Sequence, residues 1–102
     1  QKIDDLNVLL RSAVIRVEAR SPDAVRFEET YEDELPPVWC YQIPLFESAV
    51  DVLQNAVDAV LKVGEGTVSI STHKTVDARG KTYIEVIVKD TGSGIPQELR
   101  KH

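Results

Sequence analysis

Asp90 stands at the end of the alternating run Tyr83-Ile84-Glu85-Val86-Ile87-Val88-Lys89 and is followed at once by Thr91-Gly92-Ser93-Gly94-Ile95-Pro96. If the alternation continues through Asp90, its carboxylate shares a face with Ile84, Val86 and Val88, the side that packs inward. A carboxylate buried there costs roughly several kcal/mol unless hydrogen-bond donors meet it. The two glycines that follow open backbone conformations closed to other residues and let a ligand come close. A polar ligand that offers an N–H is the partner this arrangement calls for.

A second polar group lies upstream in Leu45 to Leu61. At about 100° per residue, Glu47, Asp51, Asn55, Asp58 and Lys62 fall on one narrow arc of a helix, and Phe46, Ala49, Leu53, Ala56, Val57 and Val60 fall on the other side. Carboxylates and an amide aligned in this way suit a cation or a nucleotide. On periodicity alone the same stripe is equally the solvent face of an amphipathic helix.

The elements that must hold these two groups follow from the rest of the chain. Leu6 to Ala19 reads as a helix broken at Ser21-Pro22-Asp23. Val25 to Tyr31 alternates as a strand and runs into Glu32-Asp33-Glu34, a charge run expected to be a solvated loop. Pro36-Pro37 stiffens the connection into Val38 to Tyr41, and Pro44 suits the first turn of the long helix. Gly64 and Gly66 are expected to end that helix. Thr67 to Thr75 and Lys81 to Lys89 form an antiparallel hairpin around Asp77-Ala78-Arg79-Gly80. Helices with one apolar face beside a largely antiparallel sheet predict an α+β fold, a two-layer α/β sandwich.

Taken together, the two polar groups resemble a known family. Leu53-Gln54-Asn55-Ala56-Val57-Asp58-Ala59 looks like the N box, and Asp90-Thr91-Gly92-Ser93-Gly94-Ile95 like the G1 box, of histidine-kinase-type ATPase domains, the group shared with gyrase, Hsp90 and MutL. Each box alone is weakly specific; both in order, with a strand pair between them, are strongly so. Asp5-Leu6-Asn7 resembles the segment entering such a domain from its dimerisation helices. Leu35-Pro36-Pro37-Val38 is similar to the linker before the N-box helix, and Pro96-Gln97-Glu98-Leu99 to the stretch after the G1 box. The implied fold is a Bergerat-type ATPase domain, with residues 1–102 its N-terminal and central part.

The resemblance also implies roles. Asn55 would bind the Mg2+ that bridges the ATP phosphates, with Asp58 beside it at the nucleotide. Asp90 would accept the adenine amino hydrogen. Gly92 and Gly94 would let the backbone pass the base and act as a hinge for the lid, and Ile95 would touch the base at the lid's start. Asp51 stands where many kinases carry asparagine and where the gyrase and Hsp90 branches carry a water-activating glutamate. It is the candidate catalytic residue, one methylene shorter than that glutamate, with a metal-shell or solvent-facing role left open. The resemblance implies ATP and Mg2+ as cofactors, and a histidine-bearing dimerisation domain and a response regulator as partners.

The lid, the second glycine-rich box and the final strands are expected to lie beyond His102, and neither His73 nor His102 sits in a long helix suited to accept a phosphoryl group. The expectation is thus the adenine-side portion of a sensor histidine kinase's catalytic domain. The alternatives are a non-catalytic domain of the same fold that docks a partner, and a hydrolytic ATPase of the gyrase, Hsp90 and MutL branch. With 102 residues and no methionine, the chain reads as one small domain excised or processed from a longer protein. A formal net charge of −5 argues against nucleic acid and anionic membranes as partners. The lone Cys40 has no internal disulfide partner and is expected to be a small buried hydrophobe. It points to a reducing cytoplasm, which includes the cytoplasmic part of a membrane-bound sensor. No histidine or second cysteine stands at zinc-site spacing.

Overall fold

The computed structural model describes residues 2–3, 5–39, 41–92 and 97–101, and the side chains of 5–38 and 41–92. The readings of Cys40, Gly94 and Ile95 therefore lie outside the described residues. A short strand β1 (Lys2–Ile3) leads into helix α1 (Leu6–Ala19), strand β2 (Val25–Thr30), strand β3 (Val38–Trp39) and helix α2 (Gln42–Val63). Strands β4 (Gly66–Val76), β5 (Thr82–Asp90) and β6 (Gln97–Lys101) complete the order. β1 and β3 pair with each other, while the main sheet runs β2-β4-β5-β6.

α1 forms where the pattern demands it. Leu6, Leu9, Leu10, Ala13, Val14 and Val17 recur at helical spacing and are all buried. Asp5 caps the first turn, its Oδ1 accepting from the Val8 N–H at 3.3 Å. The Ser21 hydroxyl closes the other end on the Val17 carbonyl at 2.8 Å, just before Pro22. α2 extends a turn beyond expectation at its start, because Pro44 sits where an amide would have no helical partner anyway. Its regular ladder opens with Leu45 N–H on the Tyr41 carbonyl, 3.1 Å. Leu45, Ala49, Leu53, Ala56, Val57 and Val60 are buried, and Glu47, Asp51, Asn55, Asp58 and Lys62 are exposed, so the two arcs fall as the periodicity predicts.

Both helices belong to one apolar cluster with the inward residues of the sheet, Val68 and Ile70 of β4 and Ile84, Val86 and Val88 of β5. The fold is α+β, two helices on one side of a sheet. The sheet is more mixed than expected: β2 runs parallel to β4, with β3 and α2 between them in the chain, whereas β4, β5 and β6 are antiparallel. β6, which the sequence reading did not foresee, pairs Gln97–Lys101 against Ile84–Val88.

Two local readings need correction. Gly64 ends α2, at φ +116° with its N–H on the Val60 carbonyl, but Gly66 is the buried first residue of β4. The run at Glu32 is not simply solvated either. Its backbone N–H donates to Thr72 Oγ1 (2.9 Å), its carbonyl accepts from the Asn7 amide (2.9 Å), and its carboxylate accepts from the Lys74 N–H. Thr72, 1% exposed, donates in turn to Asn7 Oδ1 at 3.0 Å. This network joins the start of α1, the loop after β2 and the middle of β4, and it satisfies a hydroxyl that would otherwise be costly inside the core. Nearby, burial and a 2.6 Å hydrogen bond donated to Glu29 push the Tyr31 phenol well above its ordinary range, so it stays protonated while Arg11 lies 5.1 Å over its ring.

At the hairpin tip, Asp77 Oδ1 accepts from the Arg79 and Lys81 N–H groups at 2.9 Å each, and Oδ2 accepts from the Tyr83 hydroxyl at 3.0 Å. The Lys81 amide first, then Tyr83 and the Arg79 amide, hold its carboxyl below the ordinary 3.8. A carboxyl depressed in the folded state contributes stability that is complete above the unfolded value and is lost as pH falls through the folded one. The Arg79 and Lys81 amide resonances should therefore stay constant at neutral pH and move together only in acid, below 3.8. Asp77→Asn should abolish that acid transition; an unchanged transition in this variant would assign it to another group.

Candidate functional site

The site is built where β5 ends. Asp90 continues the inward face of Ile84, Val86 and Val88, pairs in register with Val68, and is 8% exposed. The expected burial of this carboxylate is thus observed. Beyond it the main chain crosses to the helix layer. A β-carbon placed on Gly92 would overlap the Ala59 carbonyl and stand 2.7 Å from the Val60 nitrogen, so the backbone of the turn lies directly against α2. Gly92 is there for want of volume, since among the described glycines only Gly64 and Gly80 have positive φ.

That contact sets the site's geometry. Ala59 lies one helical turn after Asn55, so the turn following Asp90 touches α2 just beyond the amide that the sequence singles out. Asn55 is exposed, as are Asp51 one turn before it and Asp58 just after it. Asp58 Oδ1 accepts from the Gln54 amide at 3.1 Å, which orients the carboxylate along the helix surface. The site therefore has a buried acceptor at the strand end and an exposed row of oxygen donors on the helix above the core.

Sequence reasoning missed two residues here. Thr91 Oγ1 accepts from the Thr67 N–H at 3.1 Å, while the Thr91 N–H donates to the Thr67 carbonyl at 3.1 Å. Gly66 leaves room for that hydroxyl: a β-carbon there would overlap Thr91 Oγ1 and approach Val60 Cγ1 at 3.2 Å. The available signal was register. A hairpin centred on Asp77–Gly80 brings Thr67 opposite Thr91, with the glycine before it beside the turn.

Comparison with known proteins accords with this arrangement. Residues 42–102, more than half of the chain, match the family model described as histidine kinase-, DNA gyrase B- and HSP90-like ATPase. The chain belongs to this family. It is 29% identical over 76 residues to the adaptive-response sensory kinase SasA of Microcystis aeruginosa, which covers 74% of this chain and 18% of that protein. It is 32% identical over 87 residues to the sensory histidine kinase/phosphatase NtrB of Azospirillum brasilense, covering 76% of this chain and 22% of that one. The chain thus spans less than a quarter of the length of either relative. Among solved structures, the catalytic domain of histidine kinase ThkA superposes with a TM-score of 0.75 at 22% identity, over 95% of this chain and 61% of that one. The mycobacterial sensor histidine kinase MprB gives 0.72 at 24%, over 94% and 58%. The fold is that of histidine-kinase catalytic domains, and the chain is a segment of an ATPase domain of that type.

If Gly66 is kept small by the Thr91 hydroxyl, Gly66→Ala should destabilise the protein by about 1–3 kcal/mol in denaturant unfolding. The loss should shrink when Thr91→Ala is present, giving a coupling of at least about 0.5 kcal/mol in a double-mutant cycle. Strict additivity would show that the two positions do not meet.

Proposed function

We propose that residues 1–102 are the N-terminal and central part of the nucleotide-binding catalytic domain of a two-component sensor histidine kinase. The observation that carries this reading is the packing of Gly92 on Ala59, which brings the turn after buried Asp90 to the helix that carries exposed Asn55. In this role Asp90 accepts the adenine amino hydrogen. Asn55 supplies an amide oxygen on the phosphate side and Asp58 stands beside it; Gly92 and Gly94 let the backbone pass the base and hinge the lid, and Ile95 touches the base at the lid's start.

Mg2+ fits this donor set. One exposed amide oxygen between carboxylates suits an ion that keeps most of its waters and is held mainly by phosphates. Among the described residues no group of three or more His, Cys, Asp or Glu side chains forms a ready-made cage. When bound, the ion offsets phosphate charge; the chain's own part is to orient the nucleotide between Asp90 and Asn55. Phosphoryl transfer depends chiefly on such positioning.

In the whole protein, the γ-phosphoryl group of ATP passes to a histidine on a dimerisation domain and then to a response regulator. The similarity to sensory kinases and the structure of ThkA in complex with response regulator TrrA support that assignment. Asp51, exposed one turn before Asn55, extends the oxygen row and is the residue to test for water activation. The proposed location is cytoplasmic; no described helix is long and apolar enough to cross a membrane.

The two key side chains should separate experimentally. Asp90→Asn replaces an acceptor oxygen with a donor amide and should weaken ATP binding by about 1–3 kcal/mol, with loss of discrimination against GTP. Asn55→Ala should reduce autophosphorylation of the intact kinase far more than it reduces adenosine binding. Calorimetry and phosphotransfer assays on both variants check this, and near-normal phosphotransfer in Asn55→Ala would remove the metal-side assignment.

A further inference from the structure

The hydrogen-bond ladder between β4 and β5 ends in an unusual exchange. After the pair Val68 and Asp90, antiparallel register brings Thr67 opposite Thr91. The Thr91 N–H makes the regular bond to the Thr67 carbonyl, but the Thr67 N–H donates to Thr91 Oγ1. The hydroxyl takes the place of a main-chain acceptor. This frees the Thr91 carbonyl end of the chain to leave the sheet without orphaning an N–H, and the next residue, Gly92, is then against the backbone of Ala59 and Val60. Gly66, lacking a side chain, leaves the space in which the hydroxyl sits.

We propose that Thr91 is a positioning residue for base recognition: its hydroxyl fixes where the chain departs β5, and so fixes Asp90 relative to α2. This rests on the nucleotide reading above. Thr91 need not touch the nucleotide, because it acts through the path of the main chain on either side. Misplacing a recognition group by about 1 Å is sufficient to lose one to two orders of magnitude in binding or rate.

The test compares Thr91→Val, which keeps the shape and loses the acceptor, with Thr91→Ser, which keeps the hydroxyl. ATP and GTP dissociation constants are measured by calorimetry on the intact protein, with circular dichroism as the check on folding. Thr91→Ser should behave as wild type. Thr91→Val should raise the ATP dissociation constant by roughly tenfold and narrow the gap between ATP and GTP. Gly66→Ala, which displaces the hydroxyl without removing it, should show the same narrowing and serves as the second variant if Thr91→Val does not fold. Unchanged discrimination in a folded Thr91→Val, or a parallel loss for both nucleotides, would overturn the positioning role and leave the nucleotide reading standing. A wild-type protein that binds neither nucleotide would overturn both.

Discussion

The close approach of Gly92 to the Ala59 carbonyl is the constraint on which the rest of the structure turns. It is a contact between backbones, so no side-chain rearrangement can relieve an added methyl group. A sheet packed under a helix ordinarily keeps its strand ends at side-chain distance. Here one strand end closes directly onto the helix, and the residue two positions earlier is the buried carboxylate. The distance between the Asp90 carboxylate and the helix's oxygen row is therefore set by main-chain packing, which is stiffer than any side-chain contact.

The surrounding fold makes that approach sustainable. α2 is held from below by Leu53, Ala56, Val57 and Val60 against β4 and β5, with small Ala56 and Ala59 near the closing turn. α1 is fixed through its own apolar stripe and through Asn7, whose amide ties the helix start to Glu32 and Thr72. The network places a polar group in the core with its partners satisfied, and it registers α1 on the sheet where apolar packing alone would permit sliding. The exposed arc of α2 is consequently presented at a defined position although it makes little contact of its own.

Much of this was legible from residue types. The helical arcs of α2 and the inward position of Asp90 followed from periods of 3.6 and 2, because each pattern contains few exceptions. The hairpin followed from Asp77 to Gly80, where a carboxylate can cap the turn amides. The parallel pairing of β2 was not legible, since the same alternation serves either direction and the choice depends on α2 crossing between β2 and β4. Gly66 was misread for a related reason: its spacing from α2 suits a helix end, and only the partner strand reveals that Thr91 needs the space. Glu32 looked like part of a solvated charge run because backbone hydrogen bonds to distant side chains leave no local signature. Gly92 was read for conformational freedom and for room beside a ligand; what the structure adds is that its missing side chain also makes room for the backbone of Ala59 and Val60.

The central claim is that one nucleotide spans the strand-end turn and the helix arc. Amide chemical-shift mapping of the isotopically labelled intact protein with Mg2+ and ADP tests it most directly. The account predicts perturbations in two separate groups, Asp90 to Gly92 and Asn55 to Val60, that saturate with one dissociation constant. Perturbation of the turn alone, of the helix alone, or of both with different dissociation constants would contradict it.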